Sequence, residues 1–383
     1  MRTGVPGFQG IRLRQAREAL ALSITSLAEI VEVSKQAISQ YEKGTDSPGS
    51  EVFDRLRTTL KQEAHFFLKR PDASLSRNTC FYRSMASATK TARNRAEVWQ
   101  QWTRELVSYL LEFVEIPPPS FDSLKDVPAD PHLLGMDKIE ALAADVRKYW
   151  RLGDGPIPNL VETVENNGAI VVRYSLNAET LDALSQWLQP ERLPFIVLNA
   201  DKNVAVRSRL DLAHELGHLF LHRSVTQDQL RRPELFRLIE DQAFRFGAAF
   251  LLPEHSFLEE LYSLSLDGLL SVKPKWKVSV AMMIERLKDL GIVNDSQHKR
   301  LRINYSARQW SKEEPYDNEI QVEQPTFLAR TLKVVLESKI QTIEQISANT
   351  GFSREWIERL LNLPPGLVSP KPELKLLNFK RPA

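Results

Sequence analysis

The sequence predicts a multidomain, mostly α chain. An all-α N-terminal bundle is followed by a central α+β domain with a small sheet and a mainly helical C-terminal region. Three observations predict this. Apolar residues recur at helical spacing through most of the 383 residues. Two β-branched runs, Ala169–Tyr174 and Phe195–Leu198, interrupt that pattern and read as strands. At 42% apolar and 26% charged, the composition is that of a globular protein long enough for two or three cores. No window holds 18 apolar residues in a row, so no membrane span is expected. The opening MRTGVPGFQGIRLRQAREAL has no apolar core of a signal peptide. Cys80 is the one cysteine, which allows no disulfide framework within the chain and suits a reducing compartment; the expected location is the cytoplasm.

Net charge is +2 but uneven. Residues 1–100 hold 16 Lys/Arg against 10 Asp/Glu, which suggests a polyanion partner at that end. Residues 9–20 read as a helix with Ile11, Leu13 and Ala16 apolar and Arg12, Arg14 and Arg17 outward. Ser23-Ile24-Thr25 makes a break and cap before a short helix, Ser26–Val31. After the turn Glu32-Val33-Ser34 comes Lys35–Lys43, stopped at Gly44. Two short helices joined by such a turn form a helix-turn-helix. The second carries Lys35, Gln36, Ser39 and Gln40 on one side and Ala37, Ile38 and Tyr41 inward. Glutamine suits adenine edges, and lysine and serine suit guanine or phosphate. Ser34, Lys35, Gln36, Ser39, Gln40 and Lys43 are therefore the candidate contacts to double-stranded DNA.

This segment, IRLRQAREAL through VFDRLRTTL, about residues 9–69, resembles the XRE, or lambda-repressor-like, family of DNA-binding domains. That family usually has glycine in the turn where this chain has Glu32. The resemblance implies a transcription regulator. A homodimer would match the two half-sites such readers often bind.

Residues 71–93 are rich in Ser, Thr and Ala and read as a linker. Trp99, Trp102, Leu106, Tyr109, Leu110 and Phe113 then mark one packed helix or a dimer contact rather than a ligand box, ended by Pro117-Pro118-Pro119. Helices over Lys138–Tyr149 and Asn159–Asn167 precede the two strands, and Val204–Arg223 follows them as a helix.

That last helix contains His214-Glu215-Leu216-Gly217-His218, the pattern HExxH. An α-helix brings residues i and i+4 onto one face, so two imidazoles spaced this way can bind one zinc ion. The glutamate between them, Glu215, is placed as the catalytic base that takes a proton from zinc-bound water. A catalytic zinc takes three protein ligands and leaves one position open. Glu240, on a helix over Pro233–Leu251, is the choice for the third, because Ala243 and Gly247 on its face would allow close approach. Asp241 and Glu234 are the alternatives. His222 lies two turns from His214, and three histidines on one straight helix cannot close around one ion. It reads as a supporting residue, and His255 as a surface or cap residue. Asp211 is a candidate acceptor for a ligating histidine. Tyr174, Arg207 and His222 are unranked candidates to stabilise an oxyanion.

The stretch from IEALAADVRKYW through RSRLDLAHELGHLFLH to IEDQAFRFGAAFLLP, about residues 136–260, resembles the ImmA/IrrE family of zinc endopeptidases. The family's E-x-x-A-N-x-F-A pattern falls on Glu240, Ala243, Phe244, Phe246 and Gly247, with Phe244 in place of the polar residue and Gly247 in place of alanine. The resemblance implies a zincin-like domain, a Zn2+ cofactor and hydrolysis of XRE-type repressor proteins. The expected organisation is a helix-turn-helix domain over 1–70, linker and long helix over 71–135, metallopeptidase domain over 136–260 and a helical packing or sensing region over 261–383. A second reading makes the chain a non-proteolytic transcription factor whose metallopeptidase-like domain senses a ligand or holds a partner.

Within the last region, Val280–Leu290 reads as a helix capped by Ser279 and stopped at Gly291, residues 296–325 are polar and charged, and Phe327–Glu337 is another helix. Thr342–Leu361 has a second helix-turn-helix layout with Gly351 in the turn. Glu355 and Glu358 on its second helix would oppose phosphate, so it reads as a packing or sensing module rather than a second DNA reader. The tail beyond it is rich in Pro and Lys and reads as loose.

Overall fold

A computed structural model describes residues 4–71, 89–122, 124, 127–175, 182–188, 192–201 and 203–368. Most of the expected linker 71–93 and the tail beyond 368 lie outside them. The described elements are α1 (Gly10–Ala19), α2 (Ile24–Ile30), α3 (Lys35–Lys43), α4 (Ser50–Leu60), α5 (Ala64–Leu68) and α6 (Lys90–Leu110); a 3-10 turn (Pro131–Leu133); and α7 (Met136–Tyr149) and α8 (Leu160–Asn166). Strands β1 (Ile170–Tyr174), β2 (Ala183–Leu188) and β3 (Leu193–Asn199) follow. Then come α9 (Ala205–Leu221), α10 (Gln227–Leu230), α11 (Pro233–Leu251), α12 (Glu254–Glu259), α13 (Leu266–Trp276), α14 (Val280–Asp289), α15 (Asp295–Ala307), α16 (Phe327–Glu337), α17 (Ile343–Thr350) and α18 (Arg354–Leu360). The chain is mostly helical with one small sheet, as the sequence predicts.

The chain divides into two compact units, one of residues 1–71, 102–113 and 331–383, the other of 72–101 and 114–330. Among the described residues, every element of the first unit is a helix. Ser23 accepts from the Ser26 backbone N–H, which makes it the N-cap and starts α2 at Ile24, two residues before the sequence expectation. Ser34 caps α3 the same way, and Gly44 ends it in the left-handed region at φ 69°. Leu13, Ala16, Leu27, Ile38, Leu56 and Phe66 fill the core. Three aromatics of that core meet Trp102: Phe66 at 5.2 Å, Phe352 at 5.5 Å and Trp356 at 4.8 Å between ring centroids. The helix pair α17–α18 packs here, with Trp356 Nε1 donating to the Leu60 carbonyl. It is thus a packing element of the first unit.

Arg12 and Arg17 depart from expectation. Both are buried rather than outward, while Ile11 is exposed. Arg12 Nη2 lies 2.7 Å from Glu105, and Arg17 Nε lies 2.5 Å from Glu42 on α3. A buried guanidinium group is costly unless its charge is compensated, and a carboxylate compensates each of these two. Arg14 remains outside, paired with Glu18 on its own helix.

In the second unit the sheet order is β1-β3-β2, with β1 parallel and β2 antiparallel to β3. The sequence pattern does not predict β2. Its Ser185 and Gln186 are both buried, so the alternation that betrays a half-buried strand is missing. One apolar core joins the sheet, α7, α8, α9 and α11 to α13–α15. Residues 266–305 therefore share the core of α9 and α11, and the expected C-terminal region over 261–383 is divided between the two units. The pattern does not predict α15 either: Leu301 and Tyr305 are its only buried residues among those described, too few to write an apolar stripe.

Candidate metal centre and nucleic-acid interface

Helix α9, which carries the HExxH residues, and its partner α11 pack more closely than side chains usually permit. A Cβ on Gly217 would lie 2.8 Å from the Ala243 Cα and carbonyl oxygen, and one on Gly247 would lie 3.0 Å from the His214 backbone nitrogen. Glycine at both crossing points lets the backbones touch. Pro233 opens α11 at its first turn, where no intrahelical N–H is needed. Two buried arginines finish it: Arg147 Nη1 donates to the Phe250 carbonyl at 2.6 Å and Arg286 Nε to Leu252 at 3.0 Å. These satisfy carbonyls that a helix end leaves without partners. The stacked rings of Phe220, Phe246 and Phe250 lock the two helices together.

This framework brings three side chains to one point. His214 Nε2 and His218 Nε2 lie 3.0 Å apart. Glu240 Oε2 is 3.3 Å from His214 Nε2, and Glu240 Oε1 is 3.4 Å from His218 Nε2. They form a group able to hold a metal ion. The spacing suits zinc: with Zn–N and Zn–O bonds of about 2.0–2.1 Å, the edge of a tetrahedron is about 3.3–3.4 Å. His218 and Glu240 are buried and His214 is half-buried. The alternatives for the third position fall away, since Asp241 and Glu234 are exposed. His255 is exposed beside Glu259.

Burial alone would raise the Glu240 carboxyl, but the two imidazoles beside it hold it well below the usual range. Burial alone would lower His214, yet Glu240, Glu215 and Asp211 together raise it. Glu215 is buried, and burial pushes it up to about 7 against the pull of His214 and a hydroxyl. That hydroxyl is Ser185 on β2, whose Oγ donates to Glu215 Oε2 at 2.5 Å. Sequence reasoning misses Ser185 because it misses the strand, and no local signal marks a serine that acts across 30 residues.

Asp211 does not serve as expected. Among the described residues no hydrogen bond joins it to His214. It lines a small recess with Asp182, Asn199 and Arg207, where burial and Asp182 push it up to about 7. The group that meets a histidine Nδ1 is instead His222, whose Nδ1 is 3.1 Å from His218 Nδ1. His222 is fully buried and bound to Gln242, and Tyr174 is buried against Trp99. Of the three oxyanion candidates only Arg207 is exposed, paired at 3.4 Å with Asp182.

In the first unit, Ser34, Lys35, Gln36, Gln40 and Lys43 are exposed along α3 and Ser39 is half-buried, while Ile38 and Tyr41 face the core. Glu32 in the preceding turn sits at φ 54°, the conformation that glycine supplies elsewhere in such turns. The Arg17–Glu42 pair ties α3 to α1, so the outward row is presented by a fixed helix.

Fold and side-chain placement thus define a helix-turn-helix module and a metal-site α+β module on one chain. Residues 13–63 match the family model described as helix-turn-helix, and residues 164–288 match that of the IrrE N-terminal-like domain. The chain joins an XRE-type helix-turn-helix domain to an ImmA/IrrE-like metallopeptidase domain. No curated protein matches it. The second match extends past residue 260 through α14, in keeping with the shared core there.

Proposed function

We propose that the chain is a DNA-binding transcriptional regulator with a zinc-dependent endopeptidase domain that hydrolyses XRE-type repressor proteins. The observation that carries this reading is the convergence of His214, His218 and Glu240 at tetrahedral spacing, with the buried Glu215 beside them held by Ser185. Zinc bound there would polarise a peptide carbonyl and acidify water. Glu215, whose Oε2 is occupied by Ser185, takes the proton of the attacking water and returns it to the leaving amine. A carboxyl raised to about 7 by burial suits both steps near neutrality. On α3, Gln36 and Gln40 read base edges, while Lys35, Lys43, Ser34 and Ser39 hold phosphate or guanine. A homodimer would place two such helices on successive half-sites. No described helix is long and apolar enough to cross a membrane, and Cys80 is the one cysteine; both agree with work in the cytoplasm.

The test is the zinc content of the purified chain beside a His214→Ala control. About one zinc per chain, lost in the control, is expected, together with cleavage of a repressor of the helix-turn-helix class. No zinc in either protein after metal is supplied would leave the second reading, a regulator whose metallopeptidase-like domain only senses or binds.

A further inference from the structure

We infer that Gln242 and His222 are positioning residues that fix His218 in the tautomer leaving its Nε2 bare for a metal ion. The inference rests on the zinc site proposed above and assigns work to two residues outside it.

The argument follows hydrogen-bond polarity from one end of a buried chain to the other. Gln242 Nε2 lies 2.7 Å from the Pro131 carbonyl and 2.9 Å from that of Leu134. Carbonyls only accept, so the amide nitrogen must face them and Oε1 must face the other way. Oε1 meets His222 Nε2 at 3.1 Å. An amide oxygen also only accepts, so His222 Nε2 carries a proton. His222 and Gln242 are fully buried, where an uncompensated cation would be costly, so His222 is neutral and its Nδ1 is bare. That Nδ1 lies 3.1 Å from His218 Nδ1, which must therefore be the donor. A histidine protonated on Nδ1 offers its Nε2 lone pair, and His218 Nε2 is the atom that faces His214 and Glu240. Reversing any link would put a proton on the ligating nitrogen. The 3-10 turn over Pro131–Leu133 thus sets the sense of the whole wire. Its carbonyls are the fixed acceptors.

The test uses the zinc-loaded full chain. Selective 15N-histidine spectra of the wild type should show His222 protonated on Nε2 alone; a proton on His222 Nδ1 overturns the inference. Zinc affinity by chelator competition separates two variants. His222→Leu removes the acceptor, whereas the amide oxygen of His222→Asn, bonded to Cγ as Nδ1 is, can replace it. The expected result is a loss of about 10–100-fold for His222→Leu with affinity near wild type for His222→Asn. Equal losses, or none in either, overturn it. In Gln242→Leu the His222 Nδ1–H form should become populated; an unchanged proton position removes the role given to Gln242. A wild type that binds no zinc would instead refute the metal site itself, and the wild-type spectrum needs no variant to fold.

Discussion

Ser185 Oγ stands 2.5 Å from Glu215 Oε2, so the sheet's edge strand holds the acid that lies between the two histidines of α9. This contact makes a clean substitution available. In Glu215→Gln the amide oxygen still accepts from Ser185, and no buried group loses its partner. The variant should fold, bind about one zinc and bind DNA as the wild type does. Cleavage of a repressor should fall at least 10²–10⁴-fold, because the amide cannot take a proton from water. Zinc content and a cleavage assay check this together. Retained cleavage would remove Glu215 from the role of base.

Gly217→Ala probes the helix crossing that brings Glu240 to the histidines. Alanine should favour an isolated helix by about 1 kcal/mol. Here its Cβ would lie 2.8 Å from backbone atoms of Ala243, which cannot rotate away. Overpacking of this kind costs about 1–3 kcal/mol. The expected outcome is lower stability in urea, with weaker zinc binding as α9 and α11 separate. A rise in stability by the helix-propensity amount would show that the crossing has slack.

Asp211 supplies a pH dependence. Its folded value of about 7 lies above the ordinary 3.8, because burial and Asp182 disfavour the charge. Below about pH 4 the group is protonated in folded and unfolded chains alike and has no effect. As pH rises toward 7 the unfolded chain loses the proton first, so stability falls across that window and stays low above it. Metal-free protein should therefore have a lower urea midpoint at pH 8 than at pH 5, and Asp211→Asn should narrow the gap. An unchanged gap would mean that Asp211 ionises normally in the fold.

What the sequence made legible was local. The bounds of α3, α11 and α16 follow from caps, proline and apolar period, and coincide with the structure. The i, i+4 histidines could be paired because helix geometry brings such residues onto one face, and Glu240 could be chosen because small residues share its face of α11. Long-range pairing was not legible. Arg12 looks solvent-facing in the sequence because its carboxylate, Glu105, is 93 residues away. Ser185 and Gln242 give no signal because each acts across the fold, onto α9 from β2 and α11. The division of residues 261–368 between two cores is equally invisible, since helical periodicity shows that a face is buried but not against what.

On α3, two substitutions should separate recognition from attraction. Gln36→Ala removes a group suited to an adenine edge, so discrimination at one base position should relax by about 1–3 kcal/mol. Lys35→Ala should weaken binding to all sequences alike and reduce the salt slope by about 1. Mobility shifts on a set of altered operators at several salt concentrations read both. Unchanged shifts in both variants would show that another surface reads DNA.

The turn before α3 gives the last prediction. Glu32 holds φ 54°, a region that costs an L-residue about 1–2 kcal/mol. Glycine adopts it freely, though its greater freedom in the unfolded chain takes back about 0.4–1 kcal/mol. Glu32→Gly should therefore stabilise the protein by roughly 0.5–1 kcal/mol, visible as a raised urea midpoint with operator preference unchanged. Gly44→Ala is the reciprocal control. Gly44 sits at φ 69° with nothing within 4 Å of where an added methyl group would stand, so any loss there reports conformation alone. If Glu32→Gly lowers stability while Gly44→Ala does so too, glycine is costly at the turn for reasons other than φ, and the turn is not strained by its glutamate.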